Sequence, residues 1–231
     1  MPSWNELFLD KKNILDFPQN EVHKFLKKIM DEFGINSEEY ESLKNLKIWD
    51  QCCGAGRHVI YMAKRNINVY GSDVSENGIA YLRKRLSEEK FHAEVKVADM
   101  TGKIWNNEMF HGVIFWDALH YNTLDNIKIA VNNIYDSLIK GGMFLVNLLS
   151  SKSGGYGIGT EIEKDTFVNS TGLESGVPHH YFDMSQIREL FSGWEFLILS
   201  EQVNDYIETE YEFYKSNPFG YSKWNLLLKK N

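Results

Sequence analysis

The chain has 231 residues, 43% hydrophobic and 14% aromatic, which suits one α/β domain with a large core and leaves little room for disorder. Its formal net charge of -7 disfavours binding to a phosphate backbone, and Lys27-Lys28 and Lys229-Lys230 are too short to form a basic patch. No apolar run reaches the roughly 20 residues that span a bilayer, so no membrane partner is expected. Met1-Pro2-Ser3-Trp4-Asn5-Glu6 lacks the basic and apolar regions of a signal peptide. The only cysteines, Cys52 and Cys53, are adjacent and read as reduced thiols, which makes a cytoplasmic location the expectation and gives no zinc-site spacing.

The first 45 residues read as helical. Pro18-Gln19-Asn20-Glu21 opens a helix with Val22, Phe25, Leu26, Ile29 and Phe33 on one face, ended by Gly34. An alternation of strands and helices follows. Lys47–Asp50 is a short strand, then a glycine turn, then a helix through Val59–Ala63. Asn68–Asp73 is a second strand, and Ser75 caps a helix to about Glu89. Ala93–Ala98 is a third strand, and Gly112–Trp116 a fourth, so apolar that it should be central. A helix over Leu124 to Ile139, stopped by Gly141-Gly142, leads to a fifth strand at Met143–Leu148. This order predicts a doubly wound, seven-stranded, mostly parallel α/β sheet of Rossmann-like type.

Beyond residue 149 the pattern changes. Residues 150–180 are rich in Gly, Ser and Thr, which predicts an inserted functional segment. Asp183 caps a helix through Ile187 and Leu190. Phe196–Leu199 and Trp224–Leu228 are the last two strands, expected to pair antiparallel. The predicted organisation is an N-terminal helical cap over 1–45 and a ligand-binding domain over 46–231.

Ligands of doubly wound sheets sit beyond the carboxyl ends of the strands. Asp50 lies at the end of strand one. Gly54 and Gly56 let a ligand approach the backbone, and the helix that follows offers free N–H groups. Asp73 ends strand two, 19 residues after Gly54, near the ~20 typical of a carboxylate that binds ribose hydroxyls. Asp99 follows strand three, where a carboxylate can accept from the adenine amine. Three acids at three strand ends favour a ligand poor in phosphate. S-adenosylmethionine (SAM), with an ammonium, a ribose, an adenine and a sulfonium, fits. A dinucleotide fingerprint would need Gly or Ala where Val59 stands.

With Asp50, Gly54-Ala55-Gly56, Asp73 and Asp99 in this order, the sequence resembles class I SAM-dependent methyltransferases. Cys53-Gly54-Ala55-Gly56-Arg57-His58 and Gly71-Ser72-Asp73-Val74-Ser75 look closest to the small type 11/25 and tellurite-resistance-like groups. The resemblance implies that Asp73 holds the ribose, Val74 and Met100 sandwich the adenine, and Asp99 meets its amine. Asp50, Gly54 and the backbone beyond Trp116 would line the methionine end. Cys52 stands where the family has its first glycine, so its side chain would crowd the methionine moiety or demand a shifted loop.

The implied reaction is in-line transfer of the SAM methyl group to an O, N or S atom of a small-molecule acceptor, with S-adenosylhomocysteine (SAH) leaving. The alternative is a non-catalytic SAM/SAH-binding module acting as a regulator or partner subunit. Trp116, Asp117, His120 and Tyr121 follow strand four at the cleft mouth. His180 and His120 are the candidates for taking an acceptor's proton, because imidazole titrates near neutrality. His179 and His180 alternate across a strand, so at most one of them faces the cleft. Glu161 and Glu163 share a strand face and read as solvated, the alternative being that they orient a substrate. Trp4, Phe8 and Phe17 read as packing of the cap, or as a lid.

Overall fold

The most apolar strand lies in the middle of the sheet, and the rest of the fold is arranged about it. The computed structural model describes residues 4–10, 13–36, 41–171, 174–203 and 222–231. A short helix α1 (Trp4–Leu7) and the amphipathic α2 (Asn20–Glu32) precede the sheet. The alternating part comprises β1 (Lys47–Gln51), α3 (Arg57–Ala63), β2 (Asn68–Asp73), α4 (Glu76–Glu89), β3 (Glu94–Val97), β4 (Phe110–Phe115), α5 (Leu124–Ser137) and β5 (Leu138–Ser150). After it come β6 (Thr160–Glu163), β7 (Thr166–Val168), β8 (Pro178–Phe182), α6 (Met184–Leu190), β9 (Trp194–Gln202) and β10 (Lys223–Lys230).

Seven strands form the main layer in the order β3-β2-β1-β4-β5-β10-β9. The first five are parallel, and β10 runs antiparallel between β5 and β9. This is the Rossmann-like class I architecture. After β3 the chain returns to lie on the other side of β1, so the strand order reverses between β1 and β4. Period-two alternation splits the core. Trp49, Val113 and Phe144 face α5 and α6, whereas Ile48, Ile114 and Leu145 face α2, α3 and α4.

Ten strands, not seven, are present among the described residues. The segment at 150–180 folds as an antiparallel β6-β7-β8 ribbon, and β8 extends the sheet by pairing parallel with the end of β5 at Leu149↔Tyr181 and Ser150↔Phe182. The Gly141-Gly142 helix stop is corrected too. Helix α5 ends at Ser137 and the chain enters β5 directly at Leu138. The β4–β5 register shifts between Phe110 and Gly112, where residues 139–142 bulge and Gly141 takes a φ of 77°. The two capping serine and aspartate positions form as expected. Ser75 accepts from the Gly78 N–H, and Asp183 with Gln186 makes a reciprocal capping box. The segment between β9 and β10, 204–221, lies outside the described residues. Among the described residues no helix is long and apolar enough to cross a membrane.

Helix α2 seats on β4 at Gly112. A Cβ there would lie 2.4 Å from Ile29 Cδ1 and 2.6 Å from Phe25 Cζ. Both side chains are fully buried and have no free space to enter. Gly112→Ala is therefore expected to cost about 1–3 kcal/mol, read as a lower urea midpoint with an unchanged slope.

Candidate active site

The reversal of strand order opens a crevice at the carboxyl ends of β1 and β4, the place where such sheets bind ligands. A cavity of about 380 Å³ fills it. Asp50, Cys52, Gly54 and Gly56 line it from the β1 turn, Asp73 and Val74 from the end of β2, Asp99 and Met100 from beyond β3, and Trp116 from beyond β4. All nine residues named from the sequence for the cofactor thus surround one space.

Asp73 shapes the floor. Its Oδ2 accepts the Gly54 N–H at 2.8 Å and its Oδ1 accepts the Ser75 N–H at 2.8 Å. The carboxylate therefore ties the glycine turn to the start of α4. Burial pushes its pKa up, the two N–H donors oppose the shift, and the nearby Asp50 charge adds to it, leaving it above the usual carboxylate range. Gly54 and Gly56 have φ of 54° and 86°. A Cβ on Gly56 would come within 2.3 Å of Leu82 Cδ1, so close helix packing needs glycine there.

Cys52 has a φ of 55°, a left-handed conformation that costs any residue with a Cβ. Cys52 lines the cavity. Burial raises its thiol pKa well above the ordinary value, and Asp73, Asp50 and Asp99 raise it further, which favours the neutral thiol.

Asp50 is almost fully buried. Its Oδ1 lies 3.5 Å from His58 Nδ1, and its Oδ2 has no hydrogen-bond partner among the described residues. Gln51 Nε2 donates to the Met100 carbonyl at 3.0 Å, tying the β3 loop to the end of β1. Asp99 Oδ1 accepts from the Thr101 N–H at 2.8 Å and from its hydroxyl at 2.6 Å.

Beyond β4, Asp117 also adopts a positive φ, 57°. Its N–H donates to Asn147 Oδ1 at 2.6 Å, and its Oδ1 accepts from Asn147 Nδ2 and Lys223 Nζ, each at 2.6 Å. Burial alone would raise the Asp117 pKa, but Lys223 and Asn147 outweigh it and hold the carboxyl below the usual range.

The two histidine candidates lie outside the cavity lining. Burial pushes His120 down to about 3, with repulsion from Lys223 adding to it, so its imidazole is neutral and a poor proton acceptor at neutral pH. His180 is fully buried, its Nδ1 lies 2.6 Å from Thr166 Oγ1, and burial lowers its pKa as well. Of the remaining mouth residues, Tyr121 lines the cavity and donates to Glu174 at 2.9 Å. Glu163 is structural, accepting the Leu124 N–H at 2.6 Å at the start of α5.

Sequence reasoning missed how far the N-terminal segment enters the site. Trp4, Leu7, Phe8, Asn13 and Leu15 all line the cavity, whereas Phe17 is 86% exposed. Phe8 packs on the turn so closely that a Cβ on Gly54 would lie 2.7 Å from its ring. Asn5 Oδ1 accepts the Asn77 N–H and Asn5 O accepts from Asn77 Nδ2, both at 2.8 Å, and the Trp4 ring lies 5.2 Å from that of Tyr121. No periodic pattern marks these contacts. Arg57 and His58 were legible only as part of the turn's wording.

Residues 48–142 match the family model described as a methyltransferase domain. This stretch resembles a methyltransferase domain, and the fold around it is the class I one. No curated protein matches the sequence. Among solved structures, TehB from Haemophilus influenzae is similar at 17% identity and a TM-score of 0.59, over 84% of this chain and 60% of that one. The chain thus spans less than two thirds of TehB. The magnesium protoporphyrin IX methyltransferase of Synechocystis, solved with bound SAM, is similar at 15% identity and a TM-score of 0.58, over 99% of this chain and 93% of that one. The [4+2]-cyclase SpnF is similar at 14% identity and a TM-score of 0.61, over 84% and 81%. At these identities the likeness is one of fold.

Two outcomes follow for this turn. Cys52→Gly should be more stable than Cys52→Ala by about 1 kcal/mol, because the pair isolates the left-handed backbone cost, as measured by thermal and urea unfolding. Asp73→Ala should lower stability by about 1–3 kcal/mol, because it leaves two N–H groups of the turn without their acceptor. An unfolding midpoint unchanged from wild type would show that the clamp is dispensable.

Proposed function

We propose that the protein is an enzyme that transfers the methyl group of SAM to an O, N or S atom of a small molecule and releases SAH. The observation that carries this reading is the buried Oδ2 of Asp50, without a hydrogen-bond partner among the described residues, at a cavity that Asp50, Asp73 and Asp99 line. An orphaned buried carboxylate oxygen calls for a donor from a ligand, and the SAM ammonium supplies one. The remaining residues fit the same ligand. Each oxygen of Asp73 keeps a lone pair for a ribose hydroxyl after its backbone bond. Val74 and Met100 flank the adenine position, and the open oxygen of Asp99 is an acceptor for its amine.

Bound there, SAM supplies a methyl group made electrophilic by its sulfonium, so in-line attack by the acceptor needs positioning above all. The chain's contribution is to hold both partners. Asp50 and Asp73 fix the cofactor, while Trp4, Trp116 and Tyr121 offer aromatic walls to an acceptor. Phe8 and the N-terminal cap over residues 1–45 exclude water from the domain at 46–231. Reduced Cys52 and Cys53 fit a cytoplasmic setting, and the acidic net charge argues for a small-molecule acceptor over nucleic acid.

A non-catalytic SAM/SAH-binding module is the second reading. It is favoured by the burial of His120 and His180, the two candidate bases, outside the cavity lining. Calorimetry with SAM and SAH, followed by turnover on a panel of phenol, amine and thiol acceptors, separates the two. We expect both ligands to bind and SAH to accumulate with at least one acceptor class. Binding without any turnover would favour the module, and no binding of either ligand would sink both readings.

Asp73→Ala should weaken SAM binding by about 1–3 kcal/mol. The ribose hydroxyls donate to ionised Asp73, so wild-type affinity should fall as pH drops through the raised pKa of this group, in a window above the usual carboxylate range. Asp73→Asn should show no such step in calorimetric titrations across pH.

A further inference from the structure

Three hydrogen-bonded side chains run from the cavity wall into the β6-β7-β8 ribbon. Tyr121 lines the cavity, and its hydroxyl donates to Glu174 Oε1 at 2.9 Å. Glu174, in the turn before β8, meets His179 Nε2 through its other oxygen at 2.8 Å, and His179 Nδ1 lies 2.9 Å from the Val177 carbonyl. A carbonyl only accepts, so Nδ1 carries a proton, and the contact between Nε2 and Oε2 needs a second one. The pair therefore holds one proton more than a neutral imidazole beside a carboxylate. Burial would raise the Glu174 pKa, but His179 and Tyr121 outweigh it and hold the carboxyl below its usual range. The Tyr121 and His179 rings pack edge-on at 4.9 Å, and the His180 N–H donates to the His120 carbonyl at 2.9 Å, which fixes the two loops together. The acids elsewhere on the wall are committed: Asp50, Asp73 and Asp99 to the cofactor proposed above, and Asp117 to Asn147 and Lys223.

We infer that Tyr121 is the catalytic residue that takes the acceptor's proton, that Glu174 and His179 are the positioning residues that draw the phenol's own proton away, and that the acceptor's attacking atom carries a proton at neutral pH, as a hydroxyl or an ammonium does and a thiolate does not. This rests on the methyl-transfer reading above. A phenol that donates its proton can accept another on the same oxygen. The acceptor's proton moves to Tyr121 Oη while the Tyr121 proton moves to Glu174 Oε1. The acceptor's electron pair forms the bond to the methyl carbon, and the pair of the broken carbon–sulfur bond stays on the sulfur of SAH. Glu174 and His179 then share the proton until solvent takes it. The pair must be empty to receive, so the rate should rise with pH as its extra proton is lost. Among the described residues, His120, Asp117 and Lys223 are the other titratable groups around the pair, and α1 faces Tyr121 with the Trp4 ring. His120 is neutral and Asp117 ionised near neutral pH, so neither changes charge in that window.

The first readout needs no cofactor. NMR of nitrogen-15-labelled histidine, with the His179 ring assigned by its loss in His179→Gln, should show both ring nitrogens protonated at low pH and a single deprotonation step as pH rises. Glu174→Gln removes the anion and should move that step to lower pH. The second readout is turnover of SAM with phenol, benzylamine and thiophenol. Wild-type kcat on phenol or benzylamine should rise across the same step. Tyr121→Phe should lower that kcat by about tenfold or more with KM within about threefold, and should change thiophenol turnover by less than about threefold, because a thiolate has no proton to give up. Glu174→Gln should move the rising limb together with the NMR step; if Tyr121→Phe does not fold, this variant carries the comparison. An unchanged kcat in Tyr121→Phe, turnover of thiophenol alone, or a limb that does not follow the NMR step would overturn the relay and leave methyl transfer standing. SAM binding without turnover of any of the three would overturn both.

Discussion

The site depends on the carboxylate of Asp73. Its two oxygens hold the Gly54 and Ser75 amides, which start on different strands' loops and meet only because β1 and β2 are neighbours in register, with Gln51 opposite Ser72. A buried carboxylate that accepts two backbone N–H groups fixes both turns at once. Close packing then does the rest. Leu82 lies where a side chain on Gly56 would be, and Phe8 where one on Gly54 would be. Relaxing the clamp would loosen the turn, the start of α4 and the N-terminal segment together.

The turn also carries a cost. Cys52 and Asp117 both sit in left-handed backbone conformations at the cavity wall. Such strain persists only where surrounding contacts over-determine it. For Asp117 those contacts are visible: Asn147 from β5 and Lys223 from β10 bond it from two other strands. The antiparallel return of β10 beside β5 therefore does more than close the sheet, since it delivers a lysine to the mouth of a site otherwise built by the first half of the chain.

The segment at 150–180 and the N-terminus act on the site from outside the alternating core. The β6-β7-β8 ribbon ends beside Tyr121 through Glu174, and β8 buries His180 completely. A histidine so enclosed is held neutral by the cost of desolvating its cation. Burial thus decides which titratable groups are available at the mouth, and residue type alone does not.

Much of the fold was written locally. Apolar runs and the turns between them set the five parallel strands, Ser75 and Asp183 mark helix starts, and the spacing of Asp50, Gly54, Asp73 and Asp99 brings these residues around one cavity. Strand ends on a common sheet edge are adjacent whatever the rest of the chain does, and this is why spacing sufficed. The tertiary structure alone decided the rest. It converted Gly141 and Gly142 from a helix stop into a bulge, because pairing with β4 outweighed the local preference of glycine. It made a ribbon of residues 160–182, laid Phe8 on Gly54, carried Lys223 to Asp117 and withdrew His120 and His180 from the cavity. Apart from the local hairpin pairing within the ribbon, these are contacts between residues far apart in sequence, whose energy exists only after the sheet has formed.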